Sequence, residues 1–356
     1  MATVNFDPTN VDLTTANPTE VICFLQASQN AYNGNLGARI SALFVILIIS
    51  SAATVFPVIT GQSKRFKIPV YIYLFARYFG AGVIIATAFI HLMDPAYREI
   101  GPNTCVGMTG NWSVYSWPPA IILASVVAMF LLDFGAERYV EIKYGTEQNP
   151  VSAEAVVTAG SSGNQSDQVE TKLEQGQRES ASRSNDADLK ADRSFRQQIA
   201  AFLILEFGVI FHSVIIGLNL GTSGPEFSTL YPVIVFHQCF EGLGIGARMS
   251  AIPFPQRFSW LPWALCAAYG LTTPISIAIG LGLRTTYNSG SFTANTVSGT
   301  FDSLSAGILI YTGLVELLAR DFLFNPERTM DNRRLTFMII CLLVGAGVMA
   351  LLGKWA

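Results

Sequence analysis

The chain has 356 residues, of which 51% are hydrophobic and only 13% are charged. An average soluble domain carries roughly 25% charged residues, so this composition is too poor in charge to cover the surface of a soluble protein. The formal net charge of −3 is too small to indicate nucleic acid or another strongly charged partner. The composition therefore indicates an integral membrane protein, with the lipid bilayer as its main partner.

Eight hydrophobic runs of about 20 residues are long enough to cross the hydrocarbon core as helices. Numbered spans 1 to 8, they cover about 39–60, 70–93, 117–137, 198–221, 228–247, 259–283, 302–320 and 335–353. The polar residues 1–38 precede them and lack the basic and apolar regions of a secretory signal peptide. We therefore expect an all-α membrane protein with eight transmembrane helices and an extracellular N-terminal segment, 1–38.

A polar stretch interrupts the series of spans. Residues 145–197 are rich in Ser, Gln, Glu and Asp, and Phe195 is their only aromatic residue. Such a stretch cannot bury enough apolar surface to offset its ordering entropy. We expect a disordered cytoplasmic loop over 139–197, between transmembrane helices 1–3 (39–138) and 4–8 (198–356).

The short connection between spans 4 and 5 predicts a central hairpin with three spans on either side. Spans 1–3 and 6–8 would then form an inverted repeat, as in many transporters. The two halves share no convincing residue-level similarity, so this three-two-three arrangement rests on the topology alone.

The distribution of Lys and Arg predicts the orientation. With the N-terminus outside, most basic residues fall in loops on the cytoplasmic side, as the positive-inside rule requires. Both termini are then extracellular. The glycosylation sequon Asn111–Ser113 falls on the same outer side, and so do Cys23 and Cys105, where a disulfide could survive. The other cysteines lie in spans and are interpreted as small buried hydrophobes: Cys239, Cys266 and Cys341.

All three histidines of the chain lie inside apolar segments. Ionisable groups inside a membrane are expensive, so each is a candidate functional residue. Two segments have the form His-x-x-x-x-Gly: 212–217 in span 4 and 237–242 in span 5. Residues four apart share a helix face, so His237 and Glu241 can point at one ion, with His212 reaching across from span 4. Imidazole and carboxylate ligands suit Zn²⁺ and neighbouring first-row metals.

Other residues near this predicted metal site have more than one interpretation. We expect Gly217 and Gly242 to let spans 4 and 5 approach closely. Glu206 lies about 120° around the helix from His212, so we expect it to face elsewhere. It then either serves the transport path or forms an ion pair with a neighbour. Arg77 is interpreted as a structural partner to a carboxylate, and Asp133 as an interfacial residue.

The motifs resemble the ZIP family of zinc and iron transporters, particularly its plant and fungal plasma-membrane branch. The resemblance is carried by residues 212–221 in span 4 and 237–242 in span 5, together with 86–91, 272–274, 305–307 and Glu316. It covers most of the eight spans, and the paired motifs of spans 4 and 5 are quite specific.

The resemblance implies zinc uptake into the cytosol, a homodimer, and a metal held between spans 4 and 5. Carried over to this sequence, the metal ligands or near-ligands are His212, Ser213, His237, Gln238 and Glu241. Glu316 would lie on the inner exit route, and His91 and Asp94 at the entrance. The zinc ion is then the transported substrate, and no cofactor is expected.

Two departures from the family pattern limit what the resemblance implies. Ile216 stands where some bacterial relatives carry an acid that bridges two metals, so we expect a single metal. The loop 139–197 contains no histidine, whereas the loop of many relatives is histidine-rich. Metal sensing through imidazoles in this loop is therefore in doubt.

Three functions are alternatives to zinc transport. Ferrous iron, or a broad range of divalent metals, accepts the same ligands as zinc. An intramembrane zinc hydrolase would need an activated water and a general base beside the metal, and the sequence has no His-Glu-x-x-His pair. A receptor would leave the intramembrane carboxylate and imidazoles unexplained.

Overall fold

A computed structural model describes residue 12 and residues 15–26, 32–62, 69–144, 176–324 and 329–355. For residues 176–194, residue 197 and several positions from 137 to 144, only the backbone is described. The regular structure of these parts is helical. The helices are α1 (Pro18–Gln26), α2 (Leu36–Gln62), α3 (Val70–Ala86), α4 (Asp94–Ile100), α5 (Trp117–Tyr144), α6 (Gly176–Thr222), α7 (Phe227–Ser250), α8 (Leu261–Leu283), α9 (Phe292–Tyr311) and α10 (Asn332–Leu352).

Two π-helical segments lengthen these helices. Thr87–Met93 joins α3 to α4 in one continuous rod, and Thr312–Phe324 extends α9. A π-helix carries a wider turn than an α-helix and is frequently found at functional sites. Each segment holds one predicted transport-path residue, His91 in the first and Glu316 in the second.

Seven helical stretches of the described residues are long and apolar enough to cross a membrane. They are Leu36–Gly61, Val70–Ile100, Trp117–Ala136, Gln198–Thr222, Gln256–Leu283, Phe292–Phe324 and Asn332–Leu352. These match seven of the eight predicted spans, and an all-helical membrane protein is confirmed. The other predicted span is α7, which has 24 residues but is more polar because it carries His237, Gln238 and Glu241.

The helices around the predicted site pack in a defined set of pairs. α7 packs against α2 and α3, and α6 packs against α8 and α9, while α6 and α7 contact each other much less. α3 also packs against α10, and α5 against α9. The two helices that carry the predicted ligands are therefore each held by their outer neighbours, which leaves space between them.

The glycines of the two motifs do not bring α6 and α7 together, so that expectation was wrong. A Cβ added at Gly217 would meet Ser276 and the carbonyl of Thr273 on α8, and one at Gly242 would meet Thr54 on α2. Each glycine instead lets its helix lie close to an outer neighbour. This packing is consistent with the space that a metal needs between α6 and α7.

The helices extend into the predicted cytoplasmic loop from both sides, with α5 running to Tyr144 and α6 beginning at Gly176. Adding residues to an existing helix avoids the cost of nucleation, so even a polar sequence can continue it. Phe195 is buried and stacks on Phe258, with 5.7 Å between the ring centroids. Residues 145–175 of the predicted loop lie outside the described residues.

Two contacts hold the outer ends of the helices. Cys23 and Cys105 form a disulfide that ties α1 to the segment after α4. Both cysteines were predicted on the extracellular side, where a disulfide can persist. Arg39 on α2 is fully buried and donates to the carbonyl oxygens of Leu220, at 3.1 Å, and Ser223, at 2.5 Å. Because the last carbonyls of a helix lack intrahelical partners, Arg39 caps α6 and fixes the turn into α7.

Candidate metal centre

The two histidine motifs meet in the interior between α6 and α7. His212, His237 and Glu241 each offer one ligand atom, and these three atoms lie within 4.8 Å of one another. The three residues are at most 2% exposed. The imidazole rings of His212 and His237 are 5.4 Å apart, centroid to centroid. Two imidazoles and a carboxylate at this spacing can converge on one Zn²⁺ or a similar divalent metal.

Several polar atoms of this cluster lack a hydrogen-bond partner in the structure. They are Nε2 of His212, Nε2 of His237, Oε1 of Glu241, Oγ of Ser213 and Nε2 of Gln238. A buried polar group without a partner is costly, roughly 1–3 kcal/mol or more for a charged group. A cation bound between the imidazole nitrogens and the carboxylate would satisfy three of these atoms at once. Ser213 and Gln238, the other predicted near-ligands, are also fully buried beside the cluster.

Tyr269 on α8 lies directly behind the candidate ligands. Its hydroxyl is 3.1 Å from Oε1 of Gln238 and 3.3 Å from Oε2 of Glu241, and it can donate its one proton to either. Outer partners of this kind orient metal ligands. With one carboxylate oxygen near Tyr269, the unpartnered Oε1 of Glu241 remains for a metal.

His91 lies closer to the metal centre than its predicted place at the entrance. Its ring packs edge-on against His237, with 4.9 Å between centroids, and it is 7% exposed. Nε2 of His91 lies 3.1 Å from the carbonyl oxygen of Met349. Since a carbonyl only accepts, Nε2 carries the proton, and a neutral His91 keeps its Nδ1 lone pair for a ligand.

A cavity of about 210 Å³ leads to the metal centre. His212 and His237 line its inner part together with His91, and the acidic residues that line it are Asp94, Glu99 and Asp302. The side chain of Asp94 is half exposed and pairs with Arg98 at 2.5 Å. The structure thus brings the predicted entrance residue Asp94 and the three histidines to one continuous cavity.

Glu206 is buried near Glu241 and does not belong to the cavity lining. It is 3% exposed, and neither of its carboxylate oxygens has a hydrogen-bond partner. Its charge interacts with that of Glu241, which places the two carboxyl groups near each other. Glu206 was interpreted either as a transport-path residue or as half of an ion pair. Among the described residues, no basic side chain pairs with it.

Glu316 belongs to a group of charges at the far end of the bundle. Its Oε2 lies 2.7 Å from Arg320 and 3.7 Å from Arg248 at the end of α7. Nearby, Arg77 makes a bidentate contact with Asp321, in which Nη2 donates to Oδ1 at 2.8 Å and Nε donates to Oδ2 at 3.1 Å. The interpretation of Arg77 as a structural partner to a carboxylate is confirmed.

Other acidic and aromatic residues were missed or assigned no role from the sequence. Tyr269 gave a usable signal, because a tyrosine inside an apolar span needs a partner for its hydroxyl. Glu99 lies just beyond the hydrophobic run of span 2, and Asp302 at the edge of span 7, so neither counted as a deep intramembrane charge. Asp133, interpreted as interfacial, accepts a hydrogen bond from Tyr311 at 2.8 Å.

The sequence was compared with protein families, with curated proteins and with solved structures. Residues 36–353 match the family described as ZIP Zinc transporter. The chain is 57% identical over 365 residues to zinc-regulated transporter 1 of Saccharomyces cerevisiae, covering 99% of this chain and 97% of that protein.

More distant relatives agree with this match. Zinc-regulated transporter 1 of Schizosaccharomyces pombe is 40% identical, with 94% of this chain and 89% of that protein covered. Zinc transporter 9 of Oryza sativa subsp. japonica is 34% identical, with 89% of each chain covered. No solved structure matches the chain. The family match over most of the chain, together with these relatives, shows that this protein belongs to the ZIP zinc transporter family.

Proposed function

We propose that the protein takes up zinc across the plasma membrane into the cytosol and holds the ion at His212, His237 and Glu241. The observation that carries this proposal is the convergence of three buried ligand atoms within 4.8 Å. Among the described residues, no lysine or arginine pairs with the carboxylate of Glu241. The names of the similar proteins, which are zinc transporters, favour zinc over ferrous iron. A hydrolase or receptor has no comparable support.

Three protein ligands leave a position open on a metal that prefers four. Oε1 of Gln238, Oγ of Ser213, Nδ1 of His91 or a water molecule can fill it, and exchange among them would let the ion enter and leave. Ile216 lines the cavity where a second bridging acid would be needed. Because the side chain of Ile216 cannot bridge a second ion, we propose one metal at this centre.

The transport path runs from the cavity, through the central ligands, to the charged group around Glu316. Zinc enters past Asp94 and His91, which line the cavity. It leaves toward Glu206 and Glu316, two buried carboxyl groups that do not line the cavity. Because Glu316 pairs with Arg320 and Arg248 here, it has to exchange an arginine for the ion before it can serve the exit.

The helix pairs support a three-two-three arrangement of eight spans with an inverted repeat. If α2, α3 and α5 correspond to α8, α9 and α10, and α6 to α7, three of the strongly packed pairs have counterparts. The pair α2–α7 corresponds to α8–α6, α3–α10 to α9–α5, and α3–α7 to α9–α6. Under the same correspondence, the two π-helical segments occupy equivalent spans, α3 and α9. Two related halves around a central hairpin would give alternating access to the ligands by rocking.

The membrane and assembly state follow from the same proposal. The distribution of basic residues favours an orientation with both termini outside, and the Cys23–Cys105 disulfide suits that side. A homodimer would need an apolar helix face that packs against the second copy instead of lipid. The stretch Trp117–Ala136 of α5 is the least buried of the apolar stretches, at 17%, and it is the face that we assign to the second copy.

Uptake of radiolabelled zinc by cells that express the protein tests this function. His237→Ala and Glu241→Ala should abolish saturable uptake, because each removes one of three ligands, while the protein remains at the cell surface. Cys239→Ala on the same helix is the matched control and should retain uptake. Unlabelled zinc should compete better than ferrous iron. Normal uptake by both ligand variants would overturn the assignment of the site.

A further inference from the structure

The outer part of the cavity holds a second pair of carboxyl groups, Glu99 on the last turn of α4 and Asp302 on α9. Both line the cavity, on two helices that pack closely together. A Cβ added at Gly299 would lie 3.1 Å from the Cβ of Glu99, and Asp302 is about one helical turn beyond Gly299. The absence of a side chain at Gly299 is what lets α4 bring Glu99 to this position.

Neither carboxyl group has a basic partner among the described residues. Asp302 is 3% exposed and makes no hydrogen bond or ion pair with the described part of the chain. Its electrostatic neighbour is Glu99, another acid, and the Oε2 atom of Glu99 is buried without a partner. The adjacent base, Arg98, pairs with Asp94 instead.

Tyr287, in the loop between α8 and α9, is a neighbour of Glu99. Burial raises the pKa of its hydroxyl, and the carboxylate of Glu99 adds to that rise. The tyrosine therefore stays neutral and does not compete for a cation. The hydroxyl of Ser298 is the other polar neighbour of Glu99, and it carries no charge. Two buried carboxylates side by side are unstable without a proton or a metal to neutralise them.

We propose that Glu99 and Asp302 form a second divalent-metal site, at the mouth of the cavity, which loads zinc into the central ligands. The proposal rests on the proposed function. Two carboxylates without imidazole hold a first-row metal less selectively than the inner histidines do. The outer site would therefore capture the ion from the extracellular fluid and release it to His91 and His237 along the same cavity. This adds one ion outside the central cluster and leaves the single metal at that cluster unchanged.

Zinc binding to the purified full-length protein in detergent tests this proposal first, with the bound metal counted after equilibration and desalting. The protein should bind two zinc ions, and Asp302→Asn and Glu99→Gln should each bind one. Both replacements keep the side-chain shape and remove a buried charge, so folding should survive. Glu226→Gln, an exposed carboxylate between α6 and α7 that lies outside the cavity lining, is the matched control and should still bind two ions.

Uptake kinetics then separate this site from the central one. Asp302→Asn should raise the KM for zinc about fivefold and leave the maximal rate within about twofold, since capture is weakened while the central ligands remain. Glu241→Gln should lose one bound ion and also lose uptake. If Asp302→Asn and Glu99→Gln keep both ions and the original KM, the outer site is refuted while the central assignment stands. If Glu241→Gln transports normally, the proposed function fails instead.

Discussion

Nε2 of His237 lies 3.8 Å from Oε2 of Glu241, four residues further along α7, and both side chains are at most 2% exposed. This spacing places the imidazole and the carboxylate on one helix face. His212 completes the cluster from α6, so the helices α6 and α7 must keep their separation for the three ligand atoms to converge.

The hydroxyl of Tyr269 is expected to orient the carboxylate of Glu241. Tyr269→Phe removes a hydrogen-bond donor to Gln238 and Glu241 and keeps the aromatic ring that packs in the interior. Zinc affinity should fall about tenfold, the lower end of the effect of losing an outer partner of a metal ligand. Titration of the purified protein with zinc measures this change. Tyr311→Phe, which removes only the hydrogen bond to Asp133, should leave zinc affinity unchanged.

The close approach of α3 to α10 is expected to depend on Gly82. A Cβ added there would collide with the carbonyl oxygen of Leu342 on α10, and backbone cannot move aside as a side chain can. Gly82→Ala should destabilise the protein by about 1–3 kcal/mol, as overpacking does. Thermal unfolding in detergent measures the loss. A Cβ at Gly347 on α10 would meet no atom within 4 Å, so an unfolding temperature for Gly82→Ala as high as that for Gly347→Ala would contradict this account.

Both termini are expected on the extracellular side. Epitope tags placed at the N-terminus and the C-terminus should bind antibody on intact cells, without permeabilisation. A tag inserted between residues 145 and 175 should bind antibody only after permeabilisation, because this segment belongs to the predicted cytoplasmic loop. Binding of either terminal tag only after permeabilisation would refute the orientation.

The sequence predicted the helical class and much of the site because membrane constraints are strict. A run of apolar residues has few structural options in lipid, and the rare charges within it mark functional positions. His237 and Glu241 were paired from helical periodicity alone. The hydropathy of α7 is lowered by those same residues, so the helix that carries the most chemistry is the least typical span.

Contacts between distant parts of the chain were harder to predict. Nothing in the spacing of Gly217 indicates whether it faces α7 or α8, since both sides of a buried helix meet other helices. Tyr269 contacts Gln238 and Glu241 from α8, and Asp302 lines the cavity from α9, although α8 and α9 follow α4 and α7 in the chain. Such cross-helix partners depend on how the helices pack, and one sequence carries no direct record of that packing.

Zinc flux into liposomes that contain the purified protein tests the central claim most directly, because transport is then separated from every other membrane protein. A zinc-sensitive dye trapped inside should report entry that saturates with external zinc for the unchanged protein and for Cys239→Ala. His237→Ala should show only the leak of empty liposomes. Saturable flux through His237→Ala equal to that of the unchanged protein would contradict the account.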